Sequence, residues 1–336
     1  MTSGQITRRV ELADYLSVAQ TYLRDNFLLT RPLEATDIKP RLLGHWGTCH
    51  GISLAYSHLV AAWGLPDMNT ENPDSWIFAC GPGHGFPALQ ANLWLDGEVR
   101  PMPYGEGAQL GEDTASEGKI LRNQQGLAYI CRNFSWPHGY PSHASPYTPG
   151  VILEGGELGY ALGVSYGAVL DMPNRKVACL IGDGEAETAA LLASMNLIRL
   201  VGERDGHVLP ILHRNGYKIS GPTITGRMNE HSLHQLISGF GYQPVFVNGD
   251  DPDDFQNAIH NCTKNTFIIM TTPKGEGAPD HVHDEKIVGN YLSHQVPLPD
   301  CKTNPDSLAL LEKWLRSYHV TPEELFNQTP STGEVI

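Results

Sequence analysis

The chain has 336 residues, 40% of them hydrophobic and 18% charged, with a formal net charge of −14. That composition suits one large or two smaller globular domains and lacks the basic stripe of a nucleic-acid binder. No apolar run reaches the roughly 18 residues of a membrane span, and the opening MTSGQITRRVELADYLSVAQ has no apolar core or cleavage site of a secretory signal. Six cysteines (Cys49, Cys80, Cys131, Cys179, Cys262, Cys301) stand singly without a CxxC pair. They read as reduced thiols, so the expected location is cytoplasmic.

Leu12, Tyr15, Leu16, Ala19 and Leu23 recur at helical spacing and predict a helix over 11–24. A loop with two prolines leads to the Gly/His cluster GHWGTCHG, and a helix is expected over 52–63. SWIFAC reads as a strand running into the glycine turn GPGHG, followed by a helix in FPALQANLWL. Residues 104–150 are rich in Gly, Pro, Ser and His, with a helix expected near 116–124. A stretch of that length and composition is usually functional or disordered, and the aromatic and histidine content of RNFSWPHGYPSHASPYTPG argues against disorder.

From 151 onward the pattern alternates. GGELGYALGVSYGAVLD predicts a close-packing helix, KVACLI a strand, EAETAALLASMNLIRL a helix and HVLPILH a strand. NEHSLHQLISGFG, QPVFVN, DPDDFQNAIHNC and TFIIMTT continue as helix, strand, helix and strand, and DSLALLEKWLRSY ends in a helix and a polar tail. Short apolar strands alternating with helices indicate an α/β fold, a doubly wound parallel sheet with helices on both faces. The expected division is an N-terminal helical extension over 1–40, an α/β domain over 41–300, and a C-terminal helix and tail over 301–336.

In such sheets ligands bind beyond the carboxyl ends of the strands. GDGE stands there after KVACLI, and HRNGYK after HVLPILH. Asp183 has two readings: an N-cap for the helix that follows, or a metal ligand. Residues 185–214 separate Gly184 from Asn215, room for one helix, a turn and one strand. That spacing brings Asp183 and Asn215 to one edge and favours the metal. A carboxylate, an amide oxygen and a backbone carbonyl just past Asn215 form a hard oxygen set that suits Mg²⁺ with phosphate oxygens. The glycines flanking Asp183 admit a diphosphate closely, and a helix starting near Glu185 would aim its first amides there.

Other clusters have plainer readings. GPGHG lacks the last glycine of a dinucleotide fingerprint, and no GxxxxGK[ST] occurs. His281 and His283 have no third ligand nearby and read as a solvated loop. His231 and His234 read as surface. A lone loop histidine is more often solvated than catalytic. Four of them, His45, His84, His143 and His294, sit in Gly, Pro or Ser contexts, and together they suggest a cluster that binds phosphate or sugar hydroxyls and moves protons near neutral pH.

GDG with Asn about 30 residues later matches the diphosphate-and-magnesium motif of thiamine diphosphate enzymes. The longer words YLRDNFLLTRPLEATDIKPRLLGHWGTCHG, GPGHGFPA, PSHASPYTPG, EGGELGYALG, GDGEAET, LHRNGYKISGPT, GYQPVFVNGDDP and SHQVPLPD are more specific. Together they resemble the N-terminal part of the xylulose 5-phosphate/fructose 6-phosphate phosphoketolases, over residues of about 10 to 325. The resemblance implies a thiamine diphosphate-binding (PP-type) fold. It also implies a carbon–carbon lyase (aldehyde-lyase) reaction of carbohydrate metabolism: a ketose phosphate and inorganic phosphate give acetyl phosphate, an aldose phosphate and water.

Carried over by motif, Asp183, Asn215 and the Tyr217 carbonyl would hold Mg²⁺, and Gly156, Gly182, Gly184 and Glu185 would line the diphosphate. Lys274 would add positive charge near the phosphates, and His45, His84, His143 and His294 would assist proton transfer. The sequence departs from the family where Cys49-His50 replaces the usual Thr-Pro, and at His138 in PHGYPSH. The family also carries a second α/β domain that grips the aminopyrimidine and supplies an activating glutamate. The expectation is therefore an oligomeric, phosphoketolase-type domain working with a partner chain that carries the pyrimidine-binding and C-terminal domains. The alternative is an inactive paralogue that pairs with full-length phosphoketolase as a regulatory subunit.

Overall fold

The computed structural model describes residues 1–102 and 110–326. Its centre is a sheet of five parallel strands, β1 (Trp76–Cys80), β4 (Lys176–Gly182), β5 (His207–Arg214), β6 (Gln243–Asn248) and β7 (Thr266–Thr271), in the order β1-β4-β5-β7-β6. Two small antiparallel ladders lie apart from it: β2 (Ala115–Ser116) with β3 (Lys119–Ile120), and β8 (His281–Val282) with β9 (Glu285–Lys286).

Both faces of the central sheet are buried, and the strand period of two divides its side chains between two cores. Phe78, Ala178, Leu180, Leu209, Ile211, Ile268 and Met270 point into the larger core. It is closed by α1 (Ser3–Tyr22), α2 (Trp46–Trp63), α3 (Phe86–Asp96), α4 (Gln124–Asn133), α9 (Pro252–His260) and α10 (Pro305–Ser317). Ile77, Val177, Cys179, Ile181, Val208, Leu212 and Ile269 point the other way. They meet α5 (Ala161–Val169), α6 (Ala189–Ser194) and α8 (Glu230–Phe240). Two shorter helices, α7 (Ile224–Arg227) and α11 (Pro322–Phe326), complete the described chain. The doubly wound parallel architecture expected from the alternation is therefore present. The polar tail from 327, and residues 103–109 of the Gly/Pro-rich stretch, lie outside the described residues.

Several boundaries differ, each for a physical reason. Helix α1 starts eight residues earlier than expected, at Ser3 rather than 11, on a capping box between Thr2 and Gln5. Helix α2 begins at Trp46 rather than 52, with no side-chain cap. Its first amides are satisfied from a distant loop: Trp46 N–H donates to the Gln295 carbonyl at 2.9 Å and Gly47 N–H to the His294 carbonyl at 3.4 Å. The helix expected near 116–124 is absent. Glu117 and Gly118, at φ 51° and 74°, turn the chain into the β2–β3 ladder. Helix α4 starts after it, capped by Asn123, which accepts from Gly126 N–H at 2.9 Å. The helix expected over 155–171 is confined to Ala161–Val169, since Gly159 at φ 98° interrupts it.

The single helix expected over 185–200 is broken into a 3₁₀ turn (Glu185–Glu187), α6 and a second 3₁₀ turn (Met195–Arg199). Thr188, extended at ψ 144°, ends the first turn and caps α6.

Candidate active site

The carboxyl ends of β4, β5 and β7 border a cavity of about 350 Å³. Parallel pairing of Gly182 with His213 and of Arg214 with Thr271 sets the loops that follow these strands side by side. Asp183, Asn215 and Lys274 arrive on those loops, and all three are buried.

Asp183 caps no helix. Its Oδ2 accepts from Gly216 N–H at 2.6 Å and from the Thr223 hydroxyl at 3.1 Å. The cap of α6 is Thr188, and the 3₁₀ turn at Glu185 has no side-chain cap. The N-cap reading of Asp183 is thus excluded. So is the expected long helix aimed at the diphosphate, because only a three-residue turn starts there. Asn215 donates from Nδ2 to the Gly47 carbonyl at 3.4 Å and accepts Tyr217 N–H at 3.2 Å. Lys274 donates to the Tyr217 carbonyl at 2.9 Å. Burial raises the Asp183 pKa to about 6, and Lys274 and the hydrogen-bond donors partly offset that rise. Burial lowers Lys274 to about 8.

Glu185 faces inward. Its carboxylate accepts Gly159 N–H at 3.0 Å and Gly182 N–H at 3.2 Å, tying the start of α5 to the end of β4. Burial raises its pKa to about 7 against those bonds. Gly156, Gly182 and Gly184 line the cavity. A Cβ on Gly156 would meet only Glu154 Oε1, at 3.8 Å, so the backbone there faces open space.

Three loops bring the histidines together through backbone contacts. Ala144 N–H donates to the Gly83 carbonyl and Gly155 N–H to the Ala144 carbonyl, both at 2.9 Å. Gly83 and Gly155 pack so closely that neither has room for a Cβ. Gly47 plays the same part for the fourth loop, where a Cβ would lie 2.9 Å from His294 Cα and from Lys274 Cε. The His45 ring centroid consequently stands 5.2 Å from His84, 5.5 Å from His143 and 5.5 Å from His294. His84 and His294 are 5.3 Å apart. Burial, aided by His143 and Lys274, lowers His45 to about 4, and burial with Lys274 and His45 lowers His294 to about 3. Burial also lowers His84, which the neighbouring imidazoles push further down, and His143. Four neutral imidazoles at neutral pH can each donate one N–H and accept one. His45 Nδ1 and His294 Nδ1 are buried without a hydrogen-bond partner among the described residues.

The residues proposed from the sequence for the metal, the diphosphate and proton transfer therefore all border one cavity. His231, His234, His281 and His283 are exposed and far from this role. Sequence reasoning missed Gly47, Gly83, Gly155 and Thr223. The glycines beside histidine in GHWG and GPGHG were a usable signal, whereas a threonine in GPT gives none.

The donor set fits a hard cation. Among the described residues no group of three or more His, Cys, Asp and Glu side chains is placed to hold a metal. A cation in this cavity would rest on one carboxylate with amide and carbonyl oxygens, the set that leaves Mg²⁺ positions for water and phosphate.

The architecture is that of solved transketolases. The structure from Campylobacter jejuni matches 95% of this chain and 43% of its own at a TM-score of 0.63 and 19% identity. That from Leishmania mexicana matches 97% and 46% at 0.58 and 17%. At such identities the likeness is one of fold. The sequence relationship is closer elsewhere: the XFP N-terminal domain family matches residues 4–267 and 257–336. A probable phosphoketolase of Bradyrhizobium diazoefficiens is 43% identical over 94% of this chain and 40% of its own length. One of Rhodopseudomonas palustris is 44% identical over 94% and 41%. The chain belongs to the phosphoketolase family and corresponds to its N-terminal region. It spans about two fifths of the length of these relatives.

Proposed function

We propose that the chain carries the diphosphate-binding half of a thiamine diphosphate- and Mg²⁺-dependent phosphoketolase site. The observation that supports this reading is the convergence of Asp183, Asn215, Tyr217, Lys274 and four histidines on one glycine-lined cavity. Asp183, Asn215 and the Tyr217 carbonyl would hold Mg²⁺. Gly156, Gly182 and Gly184 leave the backbone open to a diphosphate, Glu185 fixes that backbone in place, and Lys274 offsets the incoming negative charge. Thiamine diphosphate, when bound, supplies the carbon nucleophile and electron sink for cleaving a ketose phosphate. His45, His84, His143 and His294, held neutral, hydrogen-bond the sugar hydroxyls and relay protons at their ring nitrogens.

The overall reaction is ketose phosphate plus inorganic phosphate to acetyl phosphate, aldose phosphate and water. The aminopyrimidine half of the site would come from residues beyond these 336, which span about two fifths of the length of the curated relatives. Exposed apolar side chains at the cavity support docking of that half: Leu158 and Ile219 line it and are 40% and 58% exposed. The intact site residues favour this reading over a purely regulatory subunit. The test is an acetyl phosphate assay with xylulose 5-phosphate, phosphate, thiamine diphosphate and Mg²⁺. The 336-residue chain alone is expected to give no product, and robust turnover would contradict the half-site.

A further inference from the structure

We propose that Thr223 is a positioning residue for the metal site: its hydroxyl aims the Asp183 carboxylate, and the cation affinity of the cavity depends on it. The inference rests on Asp183 being a magnesium ligand, as proposed above. Thr223 is fully buried in the GPT turn that follows Tyr217.

A threonine hydroxyl has one proton and two lone pairs. Thr223 Oγ1 accepts Gly226 N–H at 3.0 Å, as the N-cap of α7, and accepts the Thr225 hydroxyl at 3.4 Å. With both acceptor positions taken, its proton is left for Asp183 Oδ2, 3.1 Å away. Gly216 N–H donates to that same oxygen at 2.6 Å. One carboxylate oxygen is thus held by two donors from the loop that also carries Asn215 and Tyr217.

That loop is closed on itself. Thr223 N–H donates to the Gly216 carbonyl at 3.0 Å, and Lys218 N–H to the Gly221 carbonyl at 2.9 Å. Gly216, at φ 86°, makes the turn, and a Cβ on Gly226 would stand 2.7 Å from its Cα. Glu187, on the β4 side, pairs with Lys218 and accepts Ile224 N–H at 2.6 Å. Thr223 therefore links Asp183, at the end of β4, to the segment that bears the other two ligands. Partners of metal ligands of this kind typically change metal affinity by about 10–100-fold when removed.

The test compares wild type with Thr223→Ser, which keeps donor and acceptor, and Thr223→Val, which keeps the shape and loses both. Mg²⁺ is titrated calorimetrically at a fixed concentration of thiamine diphosphate, and the melting temperature of each protein is measured without ligands. Thr223→Val is expected to raise the Mg²⁺ dissociation constant about 10–100-fold, while Thr223→Ser stays close to wild type. Equal Mg²⁺ affinity in wild type and Thr223→Val, with only the ligand-free melting temperature lowered, would reduce Thr223 to a helix cap and overturn the inference. If the valine variant does not fold, Thr223→Gly, which lacks the hydroxyl and is tolerated at a helix N-cap, is read in the same way against the serine variant. Failure of the wild type itself to bind would overturn the magnesium reading and this inference with it, a result distinct from equal binding by both.

Discussion

His45 and His50 lie five residues apart, one just before α2 and one in its second turn, and they stand in opposite electrostatic settings. His45 looks into the cavity among three other imidazoles and Lys274, and burial together with those neighbours holds it neutral. His50 looks the other way, with Nδ1 at 2.6 Å from Asp14 Oδ2. Burial pulls its pKa down, but the charge and hydrogen bond of Asp14, helped by Glu276 and Asp250, outweigh burial and raise it. Environment, not residue type, separates a cluster of neutral imidazoles from a histidine held in an ion pair. The contrast also places the Cys49-His50 pair. His50 joins α2 to α1, and Cys49 donates to the His45 carbonyl at 3.2 Å. Neither adds a group to the cavity.

The largest expected effect is on the acid limb of stability. A histidine with a depressed folded pKa binds its proton in the unfolded state first, so stability is lost as pH falls below about 6.5. The loss continues through the folded values, about 4 for His45 and about 3 for His294. Urea midpoints from pH 7 to 4 should fall less steeply for His84→Asn than for wild type, and parallel curves would break the neutral-cluster account.

Next is Asp14→Ala, which leaves the half-buried His50 without its partner and should cost about 1–3 kcal/mol. The sign here is opposite. The stability from the pair is fully present below about pH 6.5 and is lost as pH rises through the raised folded pKa of His50. The gap between wild type and Asp14→Ala in urea should therefore narrow above neutral pH. A constant gap would show that His50 is not held charged. The smallest effect is expected for Cys49→Thr, since a threonine hydroxyl can make the same bond to His45. A change under about 1 kcal/mol is expected, and a larger loss in the same denaturation assay would mean that the thiol packs in a way a hydroxyl cannot replace.

The sheet was legible because Val177, Cys179, Ile181 and their neighbours form short apolar runs, too short for helices, that alternate along the chain with longer segments of helical period. The Asp183 and Asn215 pair was legible because strand pairing converts a sequence interval into adjacency. What the sequence hid depends on distant partners. Helix α2 starts at Trp46 because carbonyls at 294 and 295 receive its first amides, a signal that no local window contains. The helical period across 185–200 concealed the break at Thr188, and the Glu117-Gly118 turn was overridden by a helical reading of its flanks. Thr223 was missed because its bond to Asp183 joins residues 40 apart in the sequence.

On the proposed reading this chain anchors the diphosphate of thiamine diphosphate through Mg²⁺ held at Asp183. Calorimetry of thiamine diphosphate with and without Mg²⁺, on wild type and Asp183→Ala, tests it most directly. Binding by the wild type that requires Mg²⁺ and is abolished in Asp183→Ala is the predicted result. Binding that ignores Mg²⁺, persists in Asp183→Ala, or is absent from the wild type would contradict it.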